Sequence, residues 1–282
     1  FLMETKIIIA VIGAAFLHAF WNFKVRETSD KALGIAAVMF GHIPLALLGI
    51  TFSGVPTSNS WGFIVLSALL HLGYQVFLLN AYRFGELTEV YPIARGASPL
   101  IIGVFTILMM PETLSLQELS GVLIIAVAII GYGFTRYFRE KADFLGILLA
   151  LITGCFIAAY SIVDAFGARV AQTAIGYYGA STVLNAIFLA IYLSIFHPGI
   201  VESCYVDARQ AFIFGGTASY LAYVTVLWAC LHTPVAIVSS LRETSILFAF
   251  GFGVFFLKER ISLLKIMVTS LIFLGVFLFK MN

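Results

Sequence analysis

Residues 144–163 read Phe-Leu-Gly-Ile-Leu-Leu-Ala-Leu-Ile-Thr-Gly-Cys-Phe-Ile-Ala-Ala-Tyr-Ser-Ile-Val, and the first charge after them is Asp164. A helix rises about 1.5 Å per residue, so this run alone is long enough to cross the ~30 Å hydrocarbon layer of a bilayer. It has company. Residues 32–82, 170–201 and 210–241 contain no Asp, Glu, Lys or Arg. Of the 282 residues, 61% are apolar or aromatic and 11% are charged, with a mean hydropathy of +1.05. A soluble domain carries about 25% charge. These figures exclude a water-soluble enzyme, a disordered chain and a nucleic-acid-binding module. They indicate an all-α polytopic membrane protein. Spanning β-strands would alternate in polarity, and these runs do not.

Working outward from residue 144 gives ten expected spans, at about 7–25, 31–52, 61–82, 87–110, 115–135, 144–166, 173–196, 210–231, 233–257 and 262–280. The run Ile7–Phe23 is followed by Lys24 and Arg26 without an Ala-x-Ala-like site, so it reads as a span rather than a cleavable signal peptide. Cys155, Cys204 and Cys230 form no disulfide framework and no CxxC metal pattern. Basic residues divide unevenly. The connectors after spans 1, 3, 5, 7 and 9 hold eleven (Lys24, Arg26, Lys31, Arg83, Arg136, Arg139, Lys141, Arg209, Lys258, Arg260 and Lys265), and the other side holds three (Lys6, Arg169 and Lys280). The positive-inside rule then puts the odd connectors in the cytoplasm and both termini outside.

The second half echoes the first. Ala94-Arg95-Gly96-Ala97-Ser98 corresponds to Leu241-Arg242-Glu243-Thr244-Ser245, a shift of 147 residues. Seventeen residues after each arginine stands a glutamate, Glu112 in Pro-Glu-Thr-Leu-Ser and Glu259 in Lys-Glu-Arg-Ile-Ser. Helix capping accounts for both, since Thr113 and Ser115 follow the first and Ser262 the second. The expected repeats are 3–138 and 139–282, joined through the charged stretch 136–143, with Phe1 and Leu2 left outside. Five spans per repeat place the two in opposite orientations, a carrier layout with the binding site expected at the midplane between the repeats.

With these motifs the chain resembles the drug/metabolite transporter superfamily, in its EamA-like family. The resemblance rests on Leu17-His-Ala-Phe-Trp-Asn22, Tyr91-Pro-Ile-Ala-Arg-Gly96, Ala158-Ala-Tyr-Ser-Ile-Val-Asp164 and Leu241-Arg-Glu-Thr-Ser245, and on the two helix-end glutamates. It implies ten helices as two inverted five-helix repeats, and a secondary carrier, often an exporter of amino acids or other small metabolites. It implies residence in a bacterial cytoplasmic (inner) membrane. The family does not name the cargo.

Arg95 and Arg242 fall near the middle of spans 4 and 9. A charge there costs at least ~2.5–3.5 kcal/mol on insertion scales, so it must face protein or water. Arginine keeps its proton, and two guanidinium forks suit a carboxylate, sulfonate or phosphate. The competing reading is that each arginine is locked to a carboxylate, with Asp164 and Glu243 the deep candidates. Pro92 and Pro99 flank Arg95 and each removes a backbone donor, which suggests a broken helix lining a pathway. Tyr91, Arg95 and Ser98 share its face.

Aromatic and polar residues recur at helical spacing. His18, Trp21 and Asn22 share a face, as do His71, Tyr74, Gln75 and Tyr82. Tyr160 stands one turn before Asp164, and Tyr220, Tyr223 and Trp228 mark span 8. Such a set can wall a small-molecule site or hold an ammonium, and it can equally be core packing or an interfacial belt. Asp164, Glu243, His18 and His71 are the deep groups able to exchange protons, and Asp164 alternating between an arginine and a proton would couple transport to protons.

The expected function is alternating-access carriage of a small polar metabolite, an amino-acid-like zwitterion or organic anion. The alternative is a broad-specificity exporter of amphipathic or cationic compounds, which needs an acidic handle. No HExxH, Gly-x-Ser-x-Gly or His/Asp/Glu metal pattern supports an enzyme or a cofactor. The expected partners are the substrate, the bilayer and protons. A monomer suffices, because each repeat supplies the other's partner.

Overall fold

The structure is a computed structural model that describes residues 5–28, 30–84, 87–109, 114–140, 143–258 and 262–280. Within them the regular structure is helical throughout, with no strand. Lipid supplies no partner for a peptide group, so each apolar segment closes its hydrogen bonds internally. Eight helical stretches among the described residues are long and apolar enough to cross a membrane: Thr5–Val25, Lys31–Ser53, Ser58–Ala81, Leu116–Thr135, Phe144–Ala171, Ala174–Phe196, Ala211–Cys230 and Val235–Phe256. Two shorter apolar helices, Ile93–Met109 and Leu263–Phe279, fall where spans 4 and 10 are expected.

The chain forms two compact units, each drawing on segments from both sides of the 136–143 connector. The first comprises Phe1–Ile12, Gly73–Ile162 and Thr233–Asn282, and the second Gly13–Leu72 and Val163–His232. Three helices, α1 (Thr5–Glu27), α4 (Trp61–Phe84) and α7 (Phe144–Ala171), contribute a part to each. Compactness does not test the sequence repeats, whose limits define equivalence rather than contact.

In the second unit the span Lys31–Ser53 is two helices, α2 (Lys31–Gly41) and α3 (Ile43–Ser53), joined at buried His42 with Pro44 in the first turn of α3. Asp30 caps α2 through the backbone amides of Ala32 and Leu33. Small residues let α8 (Ala174–Phe196) close on α3: a Cβ on Gly179 would stand 2.9 Å from the Ala46 carbonyl, and one on Gly176 2.7 Å from Ser53 Oγ. The short α9 (Ile200–Val206) follows, and then a π-helical turn, Ala211–Gly215, leads into α10 (Gly216–Cys230). Gly41 meets the Phe212 carbonyl there, and a Cβ on Gly216 would lie 2.6 Å from Gly41 Cα.

In the first unit, α5 (Leu87–Met109) packs along α6 (Leu116–Glu140), which packs on α13 (Leu263–Lys280). A Cβ on Gly121 would lie 2.8 Å from the Gly275 carbonyl, so these two backbones touch. The start of α6 is a capping box, in which Ser115 N donates to Glu118 Oε2 (2.7 Å) and Glu118 N to Ser115 Oγ (3.3 Å). Ser262 Oγ accepts from Lys265 N at the start of α13 (3.3 Å). The serines therefore cap these helices, while Glu112 and Glu259 lie outside the described residues.

The broken helix is not where the prolines suggest it. Helix α5 continues as helix through Pro92 and Pro99, although an interior proline costs a hydrogen bond and crowds the carbonyl four residues back. The interruption lies in Val235–Phe256, where α11 (Val235–Arg242) and α12 (Ser245–Leu257) are separated by Glu243 and Thr244. There the bonds shorten to three-residue steps: Glu243 N to Ser240 O (3.1 Å), Thr244 N to Leu241 O (3.0 Å) and Ile246 N to Glu243 O (3.0 Å). Such a tightened stretch inside a helix marks a hinge or a functional position.

Two predictions follow from the packing. Gly216→Ala should destabilise the second unit by about 1–3 kcal/mol, because the new methyl has no room. Gly131→Ala, with no atom within 4 Å of the added carbon, should be neutral or slightly stabilising; thermal unfolding in detergent checks the contrast. Cys204, in α9 outside the candidate spans, is buried and donates to the Ile200 carbonyl (3.1 Å). Burial, with Glu202 nearby, pushes its thiol up to about 12. Since the thiolate is the reactive form, maleimide should barely label Cys204 at neutral pH and label it faster as pH rises, as read by peptide mass spectrometry.

Candidate functional sites

Each unit buries one charged cluster. In the first, Arg95 on α5 reaches the turn between α11 and α12 and donates from Nε to Glu243 Oε2 at 2.9 Å. Arg242, the last residue of α11, lies with Nε 3.9 Å from the other oxygen, Oε1. Arg95 and Arg242 are each 3% exposed and Glu243 0%. Both guanidiniums therefore turn into protein rather than lipid. The carboxylate lock that the sequence left open is made by Arg95. Arg242 has only the long approach, and its Nε and Nη2 are buried without a hydrogen bond among the described residues.

Other polar atoms in this unit share that condition. Ser98 Oγ on α5, Ser239 and Ser240 Oγ on α11, Ser245 Oγ on α12 and Glu243 Oε1 are all buried without a hydrogen-bond partner. Buried polar atoms are normally satisfied, and leaving one unpaired costs about 1–3 kcal/mol. In sequence Ser98 stands one turn after Arg95, and Ser239 and Ser245 three residues either side of Arg242. The 147-residue shift pairs Arg95 with Arg242 and Ser98 with Ser245, but pairs Glu243 with Gly96. A Cβ on Gly96 would stand 2.9 Å from Ile130 N, so no side chain fits there. Among the described residues Glu243 thus stands within reach of both permanent cations.

In the second unit Asp164 on α7 is 0% exposed. His71 Nε2 lies 3.0 Å from its Oδ2, Tyr223 OH donates to Oδ2 at 2.6 Å, and Tyr177 OH donates to Oδ1 at 3.0 Å. Rings pack around this centre. Tyr178 and Tyr223 have centroids 4.7 Å apart, His71 and Tyr223 5.6 Å, and Tyr178 and Tyr220 5.2 Å. His42 Nδ1 lies 3.5 Å from Tyr178 OH. The arginine expected beside Asp164 is replaced by an imidazole and two phenols.

The remaining expected site residues fall into smaller groups. Trp21 Nε1 donates to His18 Nδ1 (3.2 Å), and Asn22 Nδ2 donates back to the His18 carbonyl (2.8 Å), all on α1. Tyr74 and Tyr160 meet edge to face at 5.6 Å in the first unit, so Tyr160 belongs with Tyr74 rather than with the Asp164 cluster. The side chain of Tyr91 lies outside the described residues. Among the described residues no three of His, Cys, Asp and Glu stand close enough to hold a metal ion.

Against this geometry, residues 144–281 match the EamA-like transporter family. That half of the chain belongs to the EamA-like transporters. Of the motifs that resemble the drug/metabolite superfamily, Ala158–Asp164 and Leu241–Ser245 lie inside that match, and the protein is an integral membrane protein of the EamA-like transporter type. A solved crystal structure superimposes over 98% of this chain and 96% of its own, with a TM-score of 0.79 and 17% identity. At that identity it speaks for the fold alone. No curated protein matches the sequence.

Sequence reasoning missed Tyr177 and the serines 239, 240 and 245. Ser245 had a signal, being the repeat equivalent of Ser98, and Ser239 is one turn from Arg242. Tyr177 had none, because it reaches Asp164 from the next helix. The geometry predicts that Glu243→Ala lowers thermal stability by about 3–5 kcal/mol, since two buried cations lose their carboxylate. Added acetate or formate should restore part of it, and neutral acetamide should not; differential scanning measurements decide.

Proposed function

We propose that the protein is an alternating-access carrier of a small polar metabolite with a carboxylate, an amino-acid-like zwitterion or an organic anion, across the cytoplasmic membrane. On this reading ten spans form two inverted five-span repeats, 3–138 and 139–282. The observation that carries it is Arg242, a buried guanidinium with Nε and Nη2 unbonded among the described residues beside a single shared carboxylate. Arg95 positions Glu243. Arg242, with Ser98 and Ser245, takes the negative group of the ligand, and Glu243 stands in for that group when the ligand is absent. Tyr74 and Tyr160 in the same unit supply aromatic surface for the remainder of the ligand. A guanidinium fork binds a carboxylate through two parallel bonds, which gives direction as well as strength.

The alternative, an exporter of cations, needs an acid free to bind them. Asp164 already accepts three hydrogen bonds and Glu243 lies between two arginines. A thermal-shift screen of amino acids, carboxylates, sulfonates and amines on the purified protein tests the choice. A carboxylate present at 100 times its Kd should stabilise the fold by about 2.7 kcal/mol. Arg242→Ala should weaken that ligand at least tenfold, to be confirmed by exchange in proteoliposomes. Stabilisation by amines alone, or full affinity in Arg242→Ala, would overturn the reading.

A further inference from the structure

The Asp164 cluster contains a hydrogen-bond choice that the anion site does not explain. Tyr177 OH has one hydrogen to give, which Asp164 Oδ1 at 3.0 Å and the Phe63 carbonyl at 3.3 Å can accept, while the Ser67 hydroxyl, itself 2.7 Å from Ser181 Oγ, also neighbours its oxygen. A carbonyl only accepts. With Asp164 ionised, Tyr177 donates to the carboxylate. With a proton on Oδ1, the carboxyl donates to the Tyr177 oxygen, and Tyr177 turns its own hydrogen to Phe63. Oδ2 has the matching freedom. It takes Tyr223 OH (2.6 Å) in either state, and His71 Nε2 (3.0 Å) faces it as imidazolium or as the neutral ring.

We propose that Asp164, together with His71, is a reversible proton-binding site of this transporter, with Tyr177 as the switch that keeps the hydrogen bonds satisfied whether the proton is present or absent. The step is simple and balanced: one proton adds to the buried carboxylate and its charge is cancelled, with no other bond made or broken. Among the described residues, the titratable groups bonded to it or packed on those partners come from several elements. They are His71 from α4, Tyr177 and Tyr178 from α8, Tyr223 and Tyr220 from α10, and His42 between α2 and α3. None is a permanent cation. Arg169, further along α7, donates from Nε to the Cys230 carbonyl at 2.9 Å instead. An ion pair with a permanent cation changes charge only by breaking, whereas this cluster changes charge by taking up a proton. Any rearrangement that admits water to α7 is then linked to proton uptake, and the linkage is reciprocal. The inference is independent of what binds at Arg242.

The test uses the full chain in nanodiscs and needs no ligand. Infrared difference spectra across a pH titration should show a protonated-carboxyl stretch appearing with a single midpoint, and thermal stability should follow the same midpoint. Asp164→Asn should abolish both while remaining folded, since Asn presents one acceptor and one donor to the same partners. Tyr177→Phe removes the switch and should move the midpoint by about one pH unit or more, a tenfold change in proton affinity, without removing the carboxyl signal. If Asp164→Asn does not fold, Tyr177→Phe carries the test alone. An unchanged spectrum and pH profile in whichever variant folds would overturn the proposal.

Discussion

Arginine keeps its charge at every accessible pH, and hydrocarbon does not solvate it. A chain that places one in α5 and another at the end of α11 must turn both into protein. Most of the first unit's central structure follows from that requirement. The side chain of Arg95 needs a carboxylate, and Glu243 supplies one from the neighbouring span. Glu243 can do so because the helix stops there, with three-residue hydrogen bonds carrying the backbone across the gap. Ser239, Ser240 and Ser245, on the two helices that flank Glu243, add buried hydroxyls to the same stretch. Burying an ion pair of this kind adds little net stability, because desolvation offsets the attraction. On the proposed function its presence in an otherwise apolar span serves binding rather than stability.

The two buried acids differ in their partners, and the partners decide what each can do. Glu243 faces permanent charges, so its own charge is needed to balance them. Asp164 faces an imidazole and two phenols, none of which carries a fixed charge. The first is suited to exchange one anion for another. The second is suited to gain and lose a proton. The same carboxyl group is thus suited to two chemistries by its surroundings.

Much of this was legible in the sequence. Uncharged runs such as 32–82 and 210–241 announce spans, because only lipid tolerates them. The arginines and Asp164 stood out as charges where charge is costly. The break was assigned to Pro92 and Pro99, yet α5 is continuous and the interruption falls at Glu243, where no local breaker residue marks it. The partner of Asp164 was also misjudged. His71 lies 93 residues away in the chain, and Tyr177 reaches across from the next helix, α8. Periodicity reports which residues share a helix face; it is silent on which faces meet, and hydrogen-bond partners across helices are settled only by packing.

The departure from internal symmetry is the feature most closely tied to the proposed activity. Arg95 and Arg242 occupy equivalent positions in sequence, as do Ser98 and Ser245, but the equivalent of Glu243 is Gly96. A carboxylate at 96 would add a second acid to the described cluster. It is also sterically barred, because the backbone of Ile130 lies against Gly96. Glycine there serves both ends: it lets α5 and α6 approach closely, and it leaves the cluster of described charges one anion short. On the proposed function an anionic ligand supplies a further negative charge to this site, and Glu243 faces both guanidiniums when the ligand leaves. That is the condition observed, with one oxygen held at 2.9 Å by Arg95 and the other 3.9 Å from Arg242.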